Sequence, residues 1–460
     1  MQILIFGVGK IYQENKKHIS ESERIIAFLD NDPTLWETEI DNIIVRNPGD
    51  ILEIAYDKII LMSDYAPEMR KQLLSLGCKE EDIVHYTEYL NGKEAGKLQI
   101  FLSNEKPNSQ KGKVLIISDT LGYHGGALAA VYAAQVLRIH EYNVMIAAPD
   151  SDSVFIEEMK KSGIGFILYR NLAHIKKEEL VWINDFQYII VNTLPMICCA
   201  TEIAKNRKVI LWLHESPNVY RSMQYWDEKI EEGIASDKLK IYAVSSIAKK
   251  NFIQKYPNKE IRLLPYGIPQ ECRYQIINKN KKLVFAIIGA LSEQKGQDIF
   301  LDAAEQVNAD GKQGEFWIIG KRTKSSYGKS IEERARRNPN VHIIGELTRA
   351  EMIRHYQKID VLIVASREET MSIVATEAMM QGKVCIVSNI AGMADYIKDY
   401  HNGLLFETEN SDELSKRILW CMENIERFQE IGKEAKLTYE QNFSMGAFGK
   451  RLEAIIGGDL

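Results

Sequence analysis

Cysteine is scarce in this chain, 6 in 460 residues, and none of the six is spaced as CxxC. Cys78, Cys198, Cys199, Cys272, Cys385 and Cys421 stand mostly in apolar surroundings, which reads as buried thiols and not as zinc ligands or a disulfide framework. No apolar run approaches the roughly 18 residues of a membrane span. The first residues, MQILIFGVGK, form a strand-like run with no charged segment before it, so the expectation is a cytoplasmic protein. Positive charge is not in excess either: Lys and Arg total 58 against 64 Asp and Glu, a net charge of -6. That removes the electrostatic footprint of a nucleic-acid binder, and Lys249-Lys250 and 334–337 read as solvated helix faces. No short-period repeat is visible. Hydrophobic residues at 45% and charged residues at 27% are those of a soluble globular chain, and the length suits about three domains.

Short apolar runs recur between helix-length amphipathic segments, the alternation of parallel sheets covered by helices. A first set comprises QILIF (2–6), IIAFL (25–29), the run ending at Val45 and KIILM (58–62), and it stops near Leu90. A polar stretch over 91–112, with Pro107 and three glycines, reads as a linker holding at most one short strand. A second set, 113–275, runs through KVLIIS (113–118), VMIAA (144–148), GFILY (165–169), YIIVN (188–192), VILWLH (209–214), IYAV (241–244) and IRLLP (261–265). A third, 276–435, follows the polar INKNKK with LVFAIIG (283–289), EFWIIG (315–320), VHIIG (341–345), VLIVAS (361–366) and VCIVS (384–388). The end of the chain is helical in pattern, and 436–460 is expected to pack back on the second domain. Two doubly wound domains of similar size, preceded by a smaller one, can turn the carboxyl ends of their sheets toward a common cleft for a nucleotide-like ligand.

The stretch SREETMSIVATEAMMQG (366–382) follows a buried strand and opens a helix. Its amide groups and helix dipole suit a phosphate or diphosphate. Glu369 and Glu377 are eight apart, on the order of 10 Å if loop gives way to helix between them, which suits two carboxylates gripping opposite ends of an extended ligand. The competing interpretation is two acids placed for the helix dipole.

These residues, with QGKVCIVSNIAG (381–392) and HNGLLF (401–406), resemble the retaining glycosyltransferases of family four, which have the GT-B fold and an EX7E motif, here Glu369 to Glu377. GALSEQKGQDIFLDAA (289–304), WLHES (212–216), AVSS (243–246), LPYGIP (264–269) and GYHGGALAA (122–130) match the family in order. The resemblance covers about Lys113 to the end. It implies a hexosyltransferase-type enzyme that uses a nucleotide sugar, a UDP- or GDP-sugar, and a glycan or lipid-linked acceptor of the cell surface, with retention at the anomeric carbon and without a metal or other cofactor. The implied roles are Lys295 at the donor diphosphate, His214 near the transferred sugar, and Gly125, Gly126, Gly289, Glu369, Thr370, Met371, Ser372 and Glu377 around the donor. Catalysis would rest on His214, Lys295 and Glu369. Gly125 and Gly126 could equally be a plain turn before a helix starting near Ala127. A lipid-linked acceptor would bring peripheral contact with the inner membrane face.

Three positions depart from the pattern. Ala290 stands where many members have an Arg, so Arg367 or Lys321 would have to supply the second cation. Thr370-Met371-Ser372 replaces a glycine-rich turn, and Tyr266 replaces an Asn. In the first domain, Gly7 and Gly9 with Asp30 begin a dinucleotide fingerprint, but Tyr12 occupies the third glycine position and weakens the case for NAD. FGVGK, FLDNDP and YDKIILMS resemble a Rossmann-like domain appended to glycan-assembly enzymes, which binds nucleotide sugars or serves as a scaffold. Asp30-Asn31-Asp32 and Asp150-Ser151-Asp152 spell the DxD of metal-using transferases, a triplet common by chance. The alternatives are an NAD-dependent oxidoreductase or epimerase working through Gly7 and Gly9, and a non-catalytic partner subunit that keeps the GT-B shape.

Overall fold

The computed structural model describes residues 1–19, 22–92, 97–103, 111–122, 124–152, 155–157, 159, 162–257, 259–270 and 282–459. Cys272 and most of the polar boundary before Lys282 lie outside them. Three sheets carry the chain. The first holds β1 (Gln2–Phe6), β2 (Arg24–Leu29), β3 (Glu39–Ile40), β4 (Ile43–Arg46), β5 (Lys58–Leu61) and β6 (Ile83–His85), in the order β3-β4-β2-β1-β5-β6. All its pairings are parallel except β3 with β4.

The second sheet has eight strands: β7 (Gln99–Phe101), β8 (Lys113–Ile117), β9 (Asn143–Ala148), β10 (Gly165–Leu168), β11 (Tyr188–Asn192), β12 (Val209–Leu213), β13 (Leu239–Ala243) and β14 (Ile261–Leu263). Their order is β14-β13-β12-β11-β8-β9-β10-β7. The third comprises β15 (Val284–Ile288), β16 (Glu315–Ile319), β17 (Val341–Gly345), β18 (Val361–Val364), β19 (Val384–Ser388) and β20 (Leu404–Phe406), ordered β17-β16-β15-β18-β19-β20 and parallel throughout. Central strands such as β12 and β19 are buried at every residue, as strands covered by helices on both faces must be.

Four short strands go beyond the apolar runs. β3, β6 and β20 have two or three residues each. β7, inside the segment that reads as a linker, pairs antiparallel with β10 and so extends the second sheet. At three residues, none of them inside the core, it has too little apolar signal to mark a strand.

The last two helices, Phe428–Asn442 and Met445–Asp459, return the chain to the second sheet. The Ile268 amide donates to Phe443 O at 2.9 Å, and the Tyr439 hydroxyl donates to Ile268 O at 3.0 Å. Phe448 is fully buried with its ring 5.7 Å from that of Trp212. Glu453 meets His140 Nδ1 at 2.9 Å and also pairs with Lys111. The C-terminal helix therefore straps across the junction of the second and third sheets.

Candidate active site

β15 ends at Ile288, and the chain turns through Gly289 and Glu293–Lys295 into the helix Gln297–Ala309. Gly296 between them is left-handed, φ +69°, and a Cβ there would stand 2.1 Å from Ala365 O. Only glycine allows this approach, which presses the Lys295 turn onto the end of β18. The Lys295 stem lies over Gly289, where a Cβ would meet Lys295 Cγ at 3.2 Å. Its ammonium reaches Glu369 Oε2 at 2.6 Å. The sequence-predicted cation and first carboxylate are thus brought together at the carboxyl edge of the third sheet.

Arg367 does not join them. Its guanidinium contacts both oxygens of Asp298, at 2.9 and 2.7 Å, donates to Glu293 O at 2.7 Å and pairs with Glu409. These charged partners hold it as a brace under the Lys295 turn. Lys321 is exposed and gives its carbonyl to the Leu291 amide at 3.0 Å.

Beyond Glu369 the loop crosses to the second sheet. Thr370 Oγ1 donates to His214 O at 2.7 Å. The Glu369 carbonyl accepts from the Gly392 amide at 2.9 Å. Met371 is buried, and Ser372 caps the helix Ile373–Met380 by accepting from the Ala375 amide at 3.3 Å. Ile373, the first helical residue, comes within 4.0 Å of a Cβ built on Gly125. Gly125 and Gly126 lie inside the helix Gly125–Ile139, which begins two residues before the expected Ala127. His124 accepts from the Ala127 amide as its cap at 3.5 Å, and Tyr123 lies outside the described residues. Two helix N-termini therefore face each other, one from each sheet.

Glu377 is buried, 3% exposed, and is fully engaged: Tyr356 Oη donates to Oε2 at 2.7 Å, and Arg349 pairs with Oε1. Neither partner was legible as a site residue. Burial raises the Tyr266 phenol well above its ordinary pKa, helped by Glu369, Tyr132 and Glu377, so both carboxylates act on one buried ring.

His214 follows β12, its ring 4.6 Å from that of Trp212 and stacked at 6.4 Å on Tyr266. Burial, with His124 nearby, pushes its pKa down to about 3, so the imidazole is neutral. Its Nε2 is buried and has no hydrogen-bond partner among the described residues. Glu215 accepts from the Leu194 and His214 amides, both at 2.7 Å, and burial lifts its pKa to about 7. It ties the loop after β11 to the loop after β12.

On the β11 loop, Asn192 donates to Gly126 O at 3.0 Å, and Thr193 holds φ +86°, costly for a β-branched residue, with its Oγ1 unpartnered among the described residues. Asn192 had a signal, a polar end to a buried strand. Thr193 had none, because strain is invisible in composition.

In the first domain, Gly7 takes φ +99° against Met62 O, and Gly9 precedes a helix of six residues. The Asp30 carboxylate accepts from the Val8 amide at 3.2 Å, so it closes the glycine loop on itself. The DxD triplets cap loops: Asp32 accepts from the Thr34 amide at 2.9 Å, and Asp150 pairs with Arg170 at 3.5 Å. Among the described residues no three His, Cys, Asp or Glu side chains gather as metal ligands, and no helix is long and apolar enough to cross a membrane. The five cysteines among the described residues are free, and burial pushes the Cys198 and Cys385 thiols up to about 12.

Residues 270–438 match the family Glycosyl transferases group 1, and residues 1–84 match C2185-like, N-terminal. An uncharacterized glycosyltransferase of Methanocaldococcus jannaschii is 30% identical over 207 residues, 45% of this chain and 55% of that one, so the alignment spans about half of that relative. A lipopolysaccharide 1,2-N-acetylglucosaminetransferase of Salmonella typhimurium is 23% identical over 295 residues, 60% of this chain and 74% of the relative. Among solved structures, Anabaena HepE in complex with UDP and glucose superposes with a TM-score of 0.64 at 17% identity, over 76% of this chain and 100% of that one. A glycosyltransferase of Rickettsia africae gives 0.61 at 17% identity, over 75% and 98%. The second and third sheets thus form a GT-B fold, whose C-terminal part, 270–438, matches the group 1 glycosyl transferase model.

Proposed function

We propose that this chain is a family-four retaining glycosyltransferase that moves a sugar from a nucleotide-sugar donor, a UDP-sugar first, to a glycan or lipid-linked acceptor at the cell envelope. The observation that carries this reading is the Lys295–Glu369 pair, 2.6 Å apart beside the N-terminus of the helix Ile373–Met380. In the reaction Lys295 exchanges Glu369 for the donor diphosphate and neutralises the charge that develops as the nucleotide leaves. Glu369, released, accepts from hydroxyls of the transferred sugar. Glu377 holds the ribose end with Oε1, which it shares with the half-exposed Arg349, while Tyr356 keeps Oε2. Neutral His214 offers Nε2 to the transferred sugar. The leaving group is served by Lys295 and helix amides, so the reading needs no metal and no NAD. The UDP and UDP-glucose complexes of HepE support the choice of base.

The GlcNAc-transferring relative from Salmonella and a Campylobacter jejuni transferase named for an undecaprenol-linked acceptor, 23% identical over 227 residues, support the envelope acceptor. The Val8–Asp30 hydrogen bond supports a scaffolding role for Gly7 and Gly9 over NAD binding. Ala290, together with the commitment of Arg367 to Asp298, favours one second reading, a subunit that binds donor without turnover. The test is incubation with UDP-, GDP-, dTDP- and ADP-sugars with an acceptor glycan, with and without EDTA, and NMR of the product. A product with the donor's anomeric configuration, formed equally in EDTA, supports the proposal; an inverted product or strict dependence on a metal refutes it.

A further inference from the structure

The appended first domain faces the second sheet edge to edge. Asp64 and Tyr86 follow β5 and β6, while Asp119, Asp150 and Arg170 follow β8, β9 and β10, and all five line one cavity of about 370 Å³. Carboxyl edges of parallel strands are where such sheets bind ligands, and the volume lies within the roughly 300–1,000 Å³ of small-molecule sites. Here two sheets contribute to one space.

An aromatic platform forms the junction. The His85 ring lies 4.7 Å from Tyr86, 4.8 Å from Tyr225 and 5.6 Å from Trp226, and His174 lies 4.6 Å from Trp226. Thr87 Oγ1 joins the two imidazoles, 2.8 Å from His85 Nδ1 and 3.3 Å from His174 Nε2. Tyr86, Tyr225 and Trp226 are only half-buried and all line the cavity, so each offers an apolar ring beside polar side chains. That combination suits a ligand with apolar C–H faces and many hydroxyls.

Charge narrows the class. The lining holds carboxylates at Asp64, Asp119 and Asp150 against the guanidinium of Arg170, which pairs with Asp150. Burial pushes His85 and His174 down to about 3 and about 4, so both are neutral at pH 7. A net negative lining disfavours phosphates and uronic acids and accepts neutral or N-acetylated sugars.

One end of the cavity reaches the transfer site. Asp119 interacts electrostatically with His124, the cap of the Gly125 helix, and with Glu215, which holds the His214 loop. Pro195 and Met196, next to the Leu194 that Glu215 binds, also line it.

We infer that the cavity between the first and second domains binds the neutral sugars of the acceptor glycan, with Asp64, Tyr86, Arg170 and Trp226 as its recognition groups. The appended domain is then part of the acceptor site. The word acceptor rests on the transferase reading; sugar binding does not.

The test uses the full chain, without donor, on an array of neutral hexose, N-acetylhexosamine, uronic acid and phosphorylated oligosaccharides, followed by calorimetric titration of the strongest binder. Asp64→Ala and Arg170→Ala change exposed side chains, so both variants are expected to fold, which a melting curve checks. Selective binding of neutral or N-acetylated oligosaccharides, weakened about tenfold or more in each variant, supports the inference. No binding, a preference for phosphorylated or acidic sugars, or a titration unchanged in both variants overturns it. Nucleotide release from UDP-sugars by the same wild-type preparation reports separately on the transferase reading.

Discussion

Glu377 and Tyr356 should be energetically coupled, and the coupling can be worked from the structure. The carboxylate is 3% exposed and the tyrosine 1%, and their hydrogen bond is 2.7 Å long. A hydrogen bond to a buried charged group contributes about 1.5–3 kcal/mol, against about 0.5–1.5 kcal/mol between neutral partners. Tyr356→Phe alone should therefore cost about 2 kcal/mol, because the carboxylate loses its buried donor. In a Glu377→Gln background the same change should cost about 1 kcal/mol, since the hydroxyl then meets a neutral amide and has Val374 O at 3.3 Å as a second acceptor. The half-exposed Arg349 adds little, as its side chain is 45% accessible and its pairing is screened by water. Urea unfolding of the four proteins in the cycle measures the difference, expected near 1 kcal/mol and above the roughly 0.3–0.5 kcal/mol within which independent sites add. Additivity within that error would mean that Glu377 is neutral or not held by Tyr356, and the account of a poised carboxylate would fail.

Acid should destabilise the protein. His85, His174 and His214, at about 3, 4 and 3, refuse protons that the unfolded chain accepts from pH 6.5 downward, so each loses about 1.4 kcal/mol per pH unit in that range; Glu215, raised to about 7, opposes them as pH falls toward 4.5. These four groups together contribute a slope of about 3 kcal/mol per unit between pH 6.5 and 4.5, offset in part by Glu88 and Asp119, whose carboxyls burial also raises; urea curves at pH 7, 6 and 5 read it, and a stability that rises as pH falls would contradict the buried neutral imidazoles. Gly296→Ala should cost at least about 2 kcal/mol and displace Lys295, since its Cβ would lie 2.1 Å from a carbonyl oxygen; the check is a lowered melting temperature together with weaker thermal stabilisation by UDP. Phe448→Ala, which empties a fully buried site beside Trp212, should cost about 3–5 kcal/mol in urea unfolding.

The sheets were legible because their central strands are unbroken apolar runs: YIIVN and VCIVS are strands at the very residues the sequence marks. β6 was not, since three residues cannot show a period, and β7 is the one short strand the linker allowed, though its pairing could not be read. At the site, Lys295 and Glu369 could be read because they fall inside motifs that resemble the family in order; by itself a loop lysine reads as a solvated one. Arg349 and Tyr356 could not, because they lie on a separate helix, Arg349–Tyr356, whose position over Glu377 is a tertiary fact. Arg367 shows the converse: its charge suggested a phosphate ligand, but Asp298 and Glu409 hold it beneath the loop. The cavity behind Trp226 was equally hidden, since its walls come from two separate sheets, residues 63–91 and 119–226.

The most direct test of the donor site is nucleotide release from a UDP-sugar panel by wild type, Lys295→Ala and Glu369→Gln, with melting curves on the same samples. The account predicts slow release from one donor by the wild type, slowed about 100- to 1,000-fold by Lys295→Ala while the fold is retained, as expected on losing a group that stabilises a leaving anion. Release at an unchanged rate in Lys295→Ala, or neither binding nor release of any nucleotide sugar by the wild type, would contradict it.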